Sequence, residues 1–188
     1  GNGTVSVANF VDAEVRLGNG DSQVTVTGAK RGSIGVGNGN DTITVSATSN
    51  QTIDNVMKIT AGDGDNRIAF SGAANTVARI ATGNGDNRVA VGGQASARIV
   101  TGSGNDDLVD HSTGALTMTG GTGNDVFEFL AGAHATVTDF QAGQDSIVLH
   151  GVSPGQVQVS NSAGSTLIAL GGGAQIQLAG VALSAGSL

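Results

Sequence analysis

Short runs of alternating apolar and polar residues recur along most of this chain. The first set comprises Val24–Val26, Ile43–Val45, Ile68–Phe70, Val89–Val91, Leu108–Val109 and Phe127–Phe129. A second run follows each of the first five: Ile34–Val36, Met57–Ile59, Val77–Ile80, Ala97–Val100 and Leu116–Met118. An apolar residue at every second position is the period of a β-strand with one buried face, and no repeat leaves a window long enough for a helix. The pattern therefore predicts an all-β protein.

A glycine-rich turn precedes each run of the first set. Its copies read G-N-G-D-S, G-N-G-N-D, G-D-G-D-N, G-N-G-D-N, G-S-G-N-D and G-T-G-N-D, beginning at Gly18, Gly37, Gly62, Gly83, Gly102 and Gly121. The starts lie 19, 25, 21, 19 and 19 residues apart, and a degenerate copy begins at Gly1. Turn, strand, turn and strand make one coil of a solenoid, because stacked coils bury an apolar face that a single coil leaves open.

These repeats predict a right-handed parallel β-roll (a β-solenoid) of about six coils over residues 1–129, followed by a C-terminal β capping segment over residues 130–188. The extra residues of the 25-residue repeat fall in the other turn, at Ser46–Asn55. Length therefore varies at one edge of the roll and is nearly constant at the glycine-rich edge. The constant edge is where we expect a metal site.

Composition narrows the class of protein. Only 3% of the residues are aromatic, which predicts a thin core of Val, Ile, Leu and Ala. The chain has no cysteine, which excludes disulfides and thiolate metal sites. A net charge of -7 without a basic patch argues against a nucleic-acid partner, and the absence of an apolar stretch of about 18 residues argues against a membrane span. Seven of the 15 acidic residues lie in the glycine-rich turns, which indicates a bound cation.

Glycine-rich turns that end in carboxylates suit Ca²⁺. This cation takes about 6–8 oxygen ligands, commonly backbone carbonyls together with carboxylates. Glycine lets several carbonyls of one turn point inward, because it adopts positive φ without steric cost. An ion held between turns of adjacent coils links coil to coil, so binding and folding become coupled. The alternative is that Asn, Gly and Asp only form tight turns, with asparagines stacked without metal.

The segment Gly120–Glu128, G-G-T-G-N-D-V-F-E, matches the repeats-in-toxin nonapeptide G-G-x-G-x-D-x-U-x. Thr101–Val109 and Val36–Thr44 match it except at the first glycine. Residues 18–129 therefore resemble the repeats-in-toxin (RTX, hemolysin-type calcium-binding) β-roll of bacterial type I secreted proteins. The resemblance implies Ca²⁺ bound by the sixth-position Asp and by turn carbonyls. Because the motif occupies one edge only, we expect several ions in a single row.

The resemblance also implies which residues of this sequence bind the ions. The strongest site is expected between the two turns that supply Gly102, Gly104, Asp106, Gly121, Gly123 and Asp125. The remaining predicted metal-site residues are Gly83, Gly85, Asn87, Gly37, Gly39, Asp41, Gly62, Asp63, Gly64 and Asn66. The sixth position departs from the motif at Ser22, Asn66 and Asn87, where an uncharged side chain predicts a weaker or vacant site.

After Phe129 the repeat period fails. Asp139–Leu149, D-F-Q-A-G-Q-D-S-I-V-L, resembles the capping segment that follows the repeats in exported members of the family. Asp139 and Asp145 are either ligands of a further ion or turn and cap residues. In the family this end of the chain also carries the uncleaved signal for type I secretion, so the resemblance implies that the type I secretion machinery is a partner.

Two pairs of arginines recur at the spacing of the coils: Arg67 with Arg88, and Arg79 with Arg98. Stacking places the members of each pair about one strand spacing apart on a solvent-facing surface. Each pair is either a ladder that binds an acidic polysaccharide or a set of solvated charges that balance the turn carboxylates.

No H-E-x-x-H or G-x-S-x-G motif is present, and the paired carboxylates lie in the turns, so we do not expect an enzyme. We expect a secreted, extracellular module that binds calcium, folds when it does so, and thereby aids export and extracellular stability. The alternative function is a binding or assembly module for an anionic polysaccharide or a cell-surface, S-layer-like lattice, appended to an upstream catalytic domain.

Overall fold

A computed structural model of the chain describes residues 1–48 and 55–183, in which strands dominate. Numbered in chain order, the strands of the first sheet are β1 (Thr4–Ala8), β3 (Gln23–Ala29), β5 (Thr42–Ala47), β7 (Arg67–Gly72), β9 (Arg88–Gly93), β11 (Asp107–Ser112), β13 (Val126–Leu130) and β15 (Ser146–His150). Those of the second sheet are β2 (Asp12–Arg16), β4 (Arg31–Gly35), β6 (Val56–Thr60), β8 (Val77–Ala81), β10 (Ser96–Val100), β12 (Ala115–Thr119), β14 (His134–Val137), β16 (Gln158–Ser162), β17 (Ser165–Ala169) and β18 (Gln175–Leu178).

Successive strands alternate between the two sheets as far as β15, and each strand from β1 to β13 pairs in parallel with the strand two places further along the chain. This arrangement is a parallel β-solenoid of about seven turns, which confirms the predicted fold class and roughly the predicted number of coils. The additional coil is the one formed by β1 and β2, which follow the degenerate copy of the turn at Gly1.

Equivalent residues of successive coils lie in register, so the core is a set of stacked apolar rows. One row in the first sheet consists of Val24, Ile43, Ile68, Val89, Leu108 and Phe127. The opposing row in the second sheet consists of Val15, Ile34, Ile59, Ile80, Ile99, Met118 and Val137. All of these side chains are buried. The stacking hides an apolar face that the alternating sequence of a single coil leaves open.

The two edges of the solenoid differ in regularity. The six turns that lead from the second sheet to the first, between β2 and β13, span residues 17–22, 36–41, 61–66, 82–87, 101–106 and 120–125. We call this the glycine edge and number the positions of each turn one to six. The turns of the other edge vary from a single residue, Lys30, to the segment between β5 and β6, of which residues 49–54 lie outside the described residues. The predicted start of that loop at Ser46 is wrong, because Ser46 and Ala47 pair with β7 as the last residues of β5.

The parallel sheets continue past residue 129, because β14 pairs with β12 and β15 pairs with β13. Strand β18 then pairs in parallel with β14, and β17 and β16 extend the sheet in antiparallel fashion. In the second sheet, β18 thereby covers the edge of β14 on which a further coil would stack. The last five residues of the predicted capping segment, 184–188, lie outside the described residues. No helix in the described part of the chain has the length and hydrophobicity needed to cross a membrane.

Candidate metal site on the glycine edge

Position four of each turn is a glycine with positive φ, between 111° at Gly20 and 141° at Gly39. Its amide donates to the position-three carbonyl of the next coil, as from Gly85 to Ser103 (2.7 Å) and from Gly104 to Thr122 (2.9 Å). A Cβ at Gly104 would also meet the carbonyl of Gly85 in the preceding coil. Both the conformation and the close approach of the coils require glycine here.

Positions three and five form two hydrogen-bonded ladders on the outer side of the turns. A side-chain oxygen of one coil accepts from the backbone N–H of the same position in the next coil. Examples are Asn84 N–H to Asp63 (2.8 Å) and Asn105 N–H to Asp86 (2.7 Å). Asp63, which we predicted as a metal-site residue, is exposed in this outer ladder and does not converge with Asn66.

Position six forms a third ladder, on the inner side of the turns and in the opposite direction. Here the side-chain Oδ1 accepts from the backbone N–H of position six in the preceding coil. The N–H groups of Ser22, Asp41, Asn66, Asn87 and Asp106 donate in this way to the next coil, over 2.7, 3.1, 3.2, 2.8 and 2.9 Å. Every position-six residue of the six turns is buried.

The second polar atom of the position-six side chain separates the turns into two kinds. In Asn66, Nδ2 donates to the carbonyls of Gly62 (3.0 Å) and Gly64 (2.9 Å). In Asn87, Nδ2 donates to the carbonyls of Gly83 (3.3 Å) and Gly85 (2.7 Å). These glycines occupy positions two and four of the same turn. Each amide therefore supplies hydrogens to two turn carbonyls that point inward.

The first turn resembles the asparagine turns in this respect. The Ser22 hydroxyl donates to the position-four carbonyl of Gly20 over 3.2 Å. Ser22, Asn66 and Asn87 thus all place a donor on the inner carbonyls.

The three aspartate turns lack that donor. Oδ2 of Asp41, of Asp106 and of Asp125 is buried and has no hydrogen-bond partner among the described residues. Because Oδ1 is held by the same backbone hydrogen bond as in the asparagines, Oδ2 of each aspartate corresponds to the Nδ2 that faces the turn carbonyls in the asparagine turns. A buried acceptor without a donor costs about 1–3 kcal/mol, and more when it is charged. Each aspartate turn therefore contains buried oxygen acceptors that a cation would stabilise.

Burial raises the pKa of all three carboxyl groups, although hydrogen bonding, mainly from the preceding coil, opposes the shift. The pKa of Asp125 rises to about 6, first through burial and then through the neighbouring charges of Asp106, Asp145 and Asp139. Negative charge is thus most concentrated at the C-terminal end of the glycine edge.

The donor set fits a hard cation such as Ca²⁺, which prefers carboxylate and carbonyl oxygens. No cluster of three or more His, Cys, Asp or Glu side chains suited to a metal occurs within residues 1–48 and 55–183. The candidate ligands of each aspartate turn are instead one carboxylate oxygen and the two backbone carbonyls of positions two and four. The geometry favours the predicted glycines of positions two and four, together with Asp41, Asp106 and Asp125, as candidate ligands.

Asp139 and Asp145 lie just beyond the last glycine-rich turn and use both carboxylate oxygens in hydrogen bonds. Asp139 accepts from the N–H groups of Gly120 (3.0 Å) and Gly121 (2.7 Å). Asp145 takes the position-six role for the following turn, accepting from Asp125 (3.0 Å), and it also accepts from Gln141 (2.7 Å). These contacts favour the cap interpretation of both residues.

The four arginines form the two expected rows, with Arg67 opposite Arg88 on the first sheet and Arg79 opposite Arg98 on the second. Arg88 is ion-paired with Asp107 and lies 3.9 Å from Glu128. The first row is therefore partly neutralised.

The second row is longer than the predicted pair of arginines, because Lys58 pairs in register with Arg79. No ion pair involves Lys58, Arg79 or Arg98 within the described part of the chain. Lys58 and Arg79 lie 21 residues apart, which equals one of the intervals between glycine-rich turns. This spacing is the feature of the sequence that indicates that Lys58 belongs to the row.

Asp110 is a second feature that sequence reasoning missed. It is fully buried at a core position of β11, in register with Val91 and Phe129. Its Oδ1 accepts from the backbone N–H and the hydroxyl of Ser112, each at 2.8 Å, while Oδ2 has no partner among the described residues. Burial raises its pKa. In the sequence, Asp110 stands at a position where the alternation predicts a buried apolar residue, and this exception is what could have identified it.

Comparison with models of protein families gives no match for this chain, and comparison with curated proteins gives none either. The resemblance to the repeats-in-toxin roll therefore rests on the turn motif itself. The parallel β-solenoid is consistent with that resemblance.

Proposed function

We propose that this chain is a calcium-binding structural module that folds in response to calcium, with ions bound on the glycine edge at Asp41, Asp106 and Asp125. The observation that carries the proposal is the burial of Oδ2 in these three aspartates without a hydrogen-bond partner among the described residues. A buried carboxylate oxygen beside inward carbonyls is stabilised by a cation and is costly without one.

Ca²⁺ fits the glycine edge better than Mg²⁺ does. Mg²⁺ demands near-octahedral geometry and usually keeps several waters, whereas Ca²⁺ accepts many oxygens in flexible arrangements, including backbone carbonyls. The carboxylate of Asp106 is also hydrogen-bonded to the backbone of Asn87 in the preceding coil. A cation beside that carboxylate offsets the cost of burying its charge, so the stacked coils become more stable and ion binding is coupled to folding.

The proposed setting is extracellular and the proposed role is non-catalytic. Such a chain remains unfolded while calcium is scarce inside the cell, passes through a type I secretion channel, and folds in the calcium outside. The absence of cysteine supports a stabilising device other than disulfides. The Gly120–Glu128 motif and the Asp139–Leu149 segment support the secretion route through their resemblance to exported proteins.

A calcium titration followed by far-ultraviolet circular dichroism and by thermal unfolding tests the proposal. Starting in EDTA, we expect added Ca²⁺ to increase β-structure and the melting temperature, and equal Mg²⁺ to do much less. Asp125→Ala should weaken the response, whereas Asp63→Asn, on the exposed outer ladder, should leave it intact. A spectrum and melting temperature that are the same in EDTA and in Ca²⁺ would refute calcium-dependent folding.

A second candidate function is the binding of an acidic polysaccharide along the second sheet. The observation that favours it is the row of Lys58, Arg79 and Arg98, which has no neutralising carboxylate among the described residues. Neighbouring cations in such a row lie about 4.8 Å apart, close enough to meet successive charges of a linear polyanion. The partly exposed Val77 lies on the same face.

Retention on immobilised polygalacturonate tests this second function. The double variant Arg79→Gln/Arg98→Gln should lose the retention, whereas Arg31→Gln should not, because Arg31 on the same sheet is already paired with Asp12. Equal retention of both variants, or binding to neutral dextran as well, would contradict a charge-specific site.

A further inference from the structure

We infer that the side-chain amides of Asn66 and Asn87 stand in for bound cations, so that the central coils of the solenoid are complete without metal. On this view the coils with Asp41, Asp106 and Asp125 require an ion and those with Asn66 and Asn87 exclude one. The half of the inference that concerns ions rests on the proposed calcium function, whereas the half that concerns the amides does not.

The geometry of the two asparagine turns carries the inference. An amide NH₂ has two hydrogens and no negative charge, and each of these amides meets two turn carbonyls at 2.7–3.3 Å. The assignment of nitrogen and oxygen is fixed by the partners. Oδ1 of Asn87 must accept from the backbone N–H of Asn66, which leaves Nδ2 to face the carbonyls of Gly83 and Gly85.

The same amides also reach the next coil. Nδ2 of Asn66 donates to Oδ1 of Asn87 over 3.0 Å, and Nδ2 of Asn87 donates to Oδ1 of Asp106 over 3.0 Å. Each amide thus lies within hydrogen-bond distance of three acceptors in its own and the following turn, which share its two hydrogens. A cation at that position would have to displace these hydrogen bonds and would find no carboxylate at position six of its own turn.

The aspartate and asparagine turns therefore alternate in blocks along the glycine edge. Asp41 lies before the asparagine pair, and Asp106 and Asp125 lie after it. The motif occurs six times, yet we expect three cation positions. Ser22, like the two asparagines, places a donor on its turn carbonyl, which leaves the three aspartate turns. The need for metal is confined to the two flanks of the central coils.

Exchanging the two side chains tests the inference in both directions. Asp106→Asn should place an amide beside the carbonyls of Gly102 and Gly104. We expect its melting temperature in EDTA to rise by about 5 °C, the effect of a couple of hydrogen bonds in a domain of this size. The number of Ca²⁺ ions bound at saturation, measured by equilibrium dialysis, should fall by one.

Asn87→Asp should do the reverse. It removes the amide and leaves a second carboxylate next to Asp106, so the melting temperature in EDTA should fall and Ca²⁺ should restore it, with one more ion bound. Asn84→Asp is the matched control, because Asn84 lies on the outer ladder, where only its side-chain oxygen is used, as an acceptor from Ser103. It should change neither the melting temperature in EDTA nor the ion count.

The outcomes separate this inference from the proposed function. If the wild-type protein binds no Ca²⁺ but Asp106→Asn is stabilised in EDTA, the calcium function fails and the role of the amide stands. If the wild-type protein binds Ca²⁺ but Asp106→Asn is destabilised in EDTA, the amide does not replace the cation. A wild-type count of five or six ions, with Asn87→Asp unchanged, would also overturn the inference.

Discussion

At the scale of single residues, the proposed function depends on one atom at position six of each turn. Asp and Asn have the same shape, and Oδ1 makes the same backbone hydrogen bond in both. The remaining atom is an acceptor in Asp106 and a donor in Asn87. Since inward carbonyls are acceptors, we propose that this one difference decides whether the turn is complete or needs a cation.

Replacing a position-four glycine should unfold the edge locally. Gly104→Ala forces an L-residue to φ of 132° and drives its Cβ against the carbonyl of Gly85, so we expect a loss on the order of 3 kcal/mol in the free energy of unfolding. Gly92→Ala is the control, because a Cβ there meets nothing within 4 Å. Urea unfolding of the two variants measures the difference, and equal losses would contradict the explanation.

The buried carboxyl of Asp110 should make stability depend on pH. Its pKa in the folded state is raised above 3.8, so the protonated form favours folding. This contribution is complete below about pH 3.8 and is lost as the pH rises through the folded-state pKa. Asp110→Asn keeps the acceptor for Ser112 without the charge. In EDTA the variant should be more stable than the wild type at pH 7, with the difference shrinking towards pH 4.

Denaturant unfolding of both proteins across that pH range is the measurement for Asp110. The nearest titratable side chains that act on this carboxyl are His111 and His134, and both are unchanged in the variant. A stability difference that is the same at every pH would show that ionisation of Asp110 is not its cause.

At the scale of elements, each six-residue turn is held by ladders that run in opposite directions. Positions three and five accept from the following coil, as Asp63 does from Asn84, whereas position six accepts from the preceding coil, as Asp125 does from Asp106. Every turn is therefore fixed to both neighbours. At the C-terminal end, where no further glycine-rich turn follows, Asp139 and Asp145 supply the missing acceptors.

Removing the acceptor of the cap should loosen the last turn. Asp139→Ala leaves the N–H groups of Gly120 and Gly121 without their partner, and we expect a loss of about 1–3 kcal/mol in the free energy of unfolding. Asp12→Ala, which removes an exposed ion pair with Arg31, should cost well under about 1 kcal/mol. Similar losses for the two variants in urea unfolding would argue against a capping role for Asp139.

At the scale of the whole molecule, the solenoid is a sum of coils that contact only their neighbours. The register is conserved from coil to coil, as in the stacking of Ile68 on Val89 and of Val89 on Leu108. Stability in such an array is approximately the sum of coil and interface contributions. A whole coil can then be removed without disturbing the contacts of the others.

Deletion of residues 88–106 removes one coil and joins Asn87 to Asp107, so that a glycine-rich turn again leads into a strand of the first sheet. The shortened protein should keep its β-rich spectrum and bind one fewer Ca²⁺, because Asp106 is lost. Deletion of residues 88–95 alone brings β10 directly after the turn and should abolish cooperative unfolding. If the whole-coil deletion also fails to fold in Ca²⁺, the coils are not independent units.

Much of this architecture follows from the sequence because the repeat fixes it. The interval between successive glycine-rich turns and the two-residue alternation of the intervening strands predicted a parallel solenoid, and the stacking of Arg79 on Arg98 followed from their spacing. Asp63 and Asn66 lie in one motif, which is why the sequence predicts both as metal-site residues. A linear motif does not tell which side of a turn a side chain faces, and Asp63 proved to be outside.

The sequence by itself determined the all-β class, the stacking of coils and the edge that carries the repeated glycine-rich turns. These features depend on periodicity, which is a property of the chain. It also predicted that Asn66 and Asn87 would differ from Asp106 and Asp125. Only the tertiary structure decided how they differ. Which atom faces the inward carbonyls depends on hydrogen bonds between residues about twenty positions apart, and those contacts exist only once the coils are stacked.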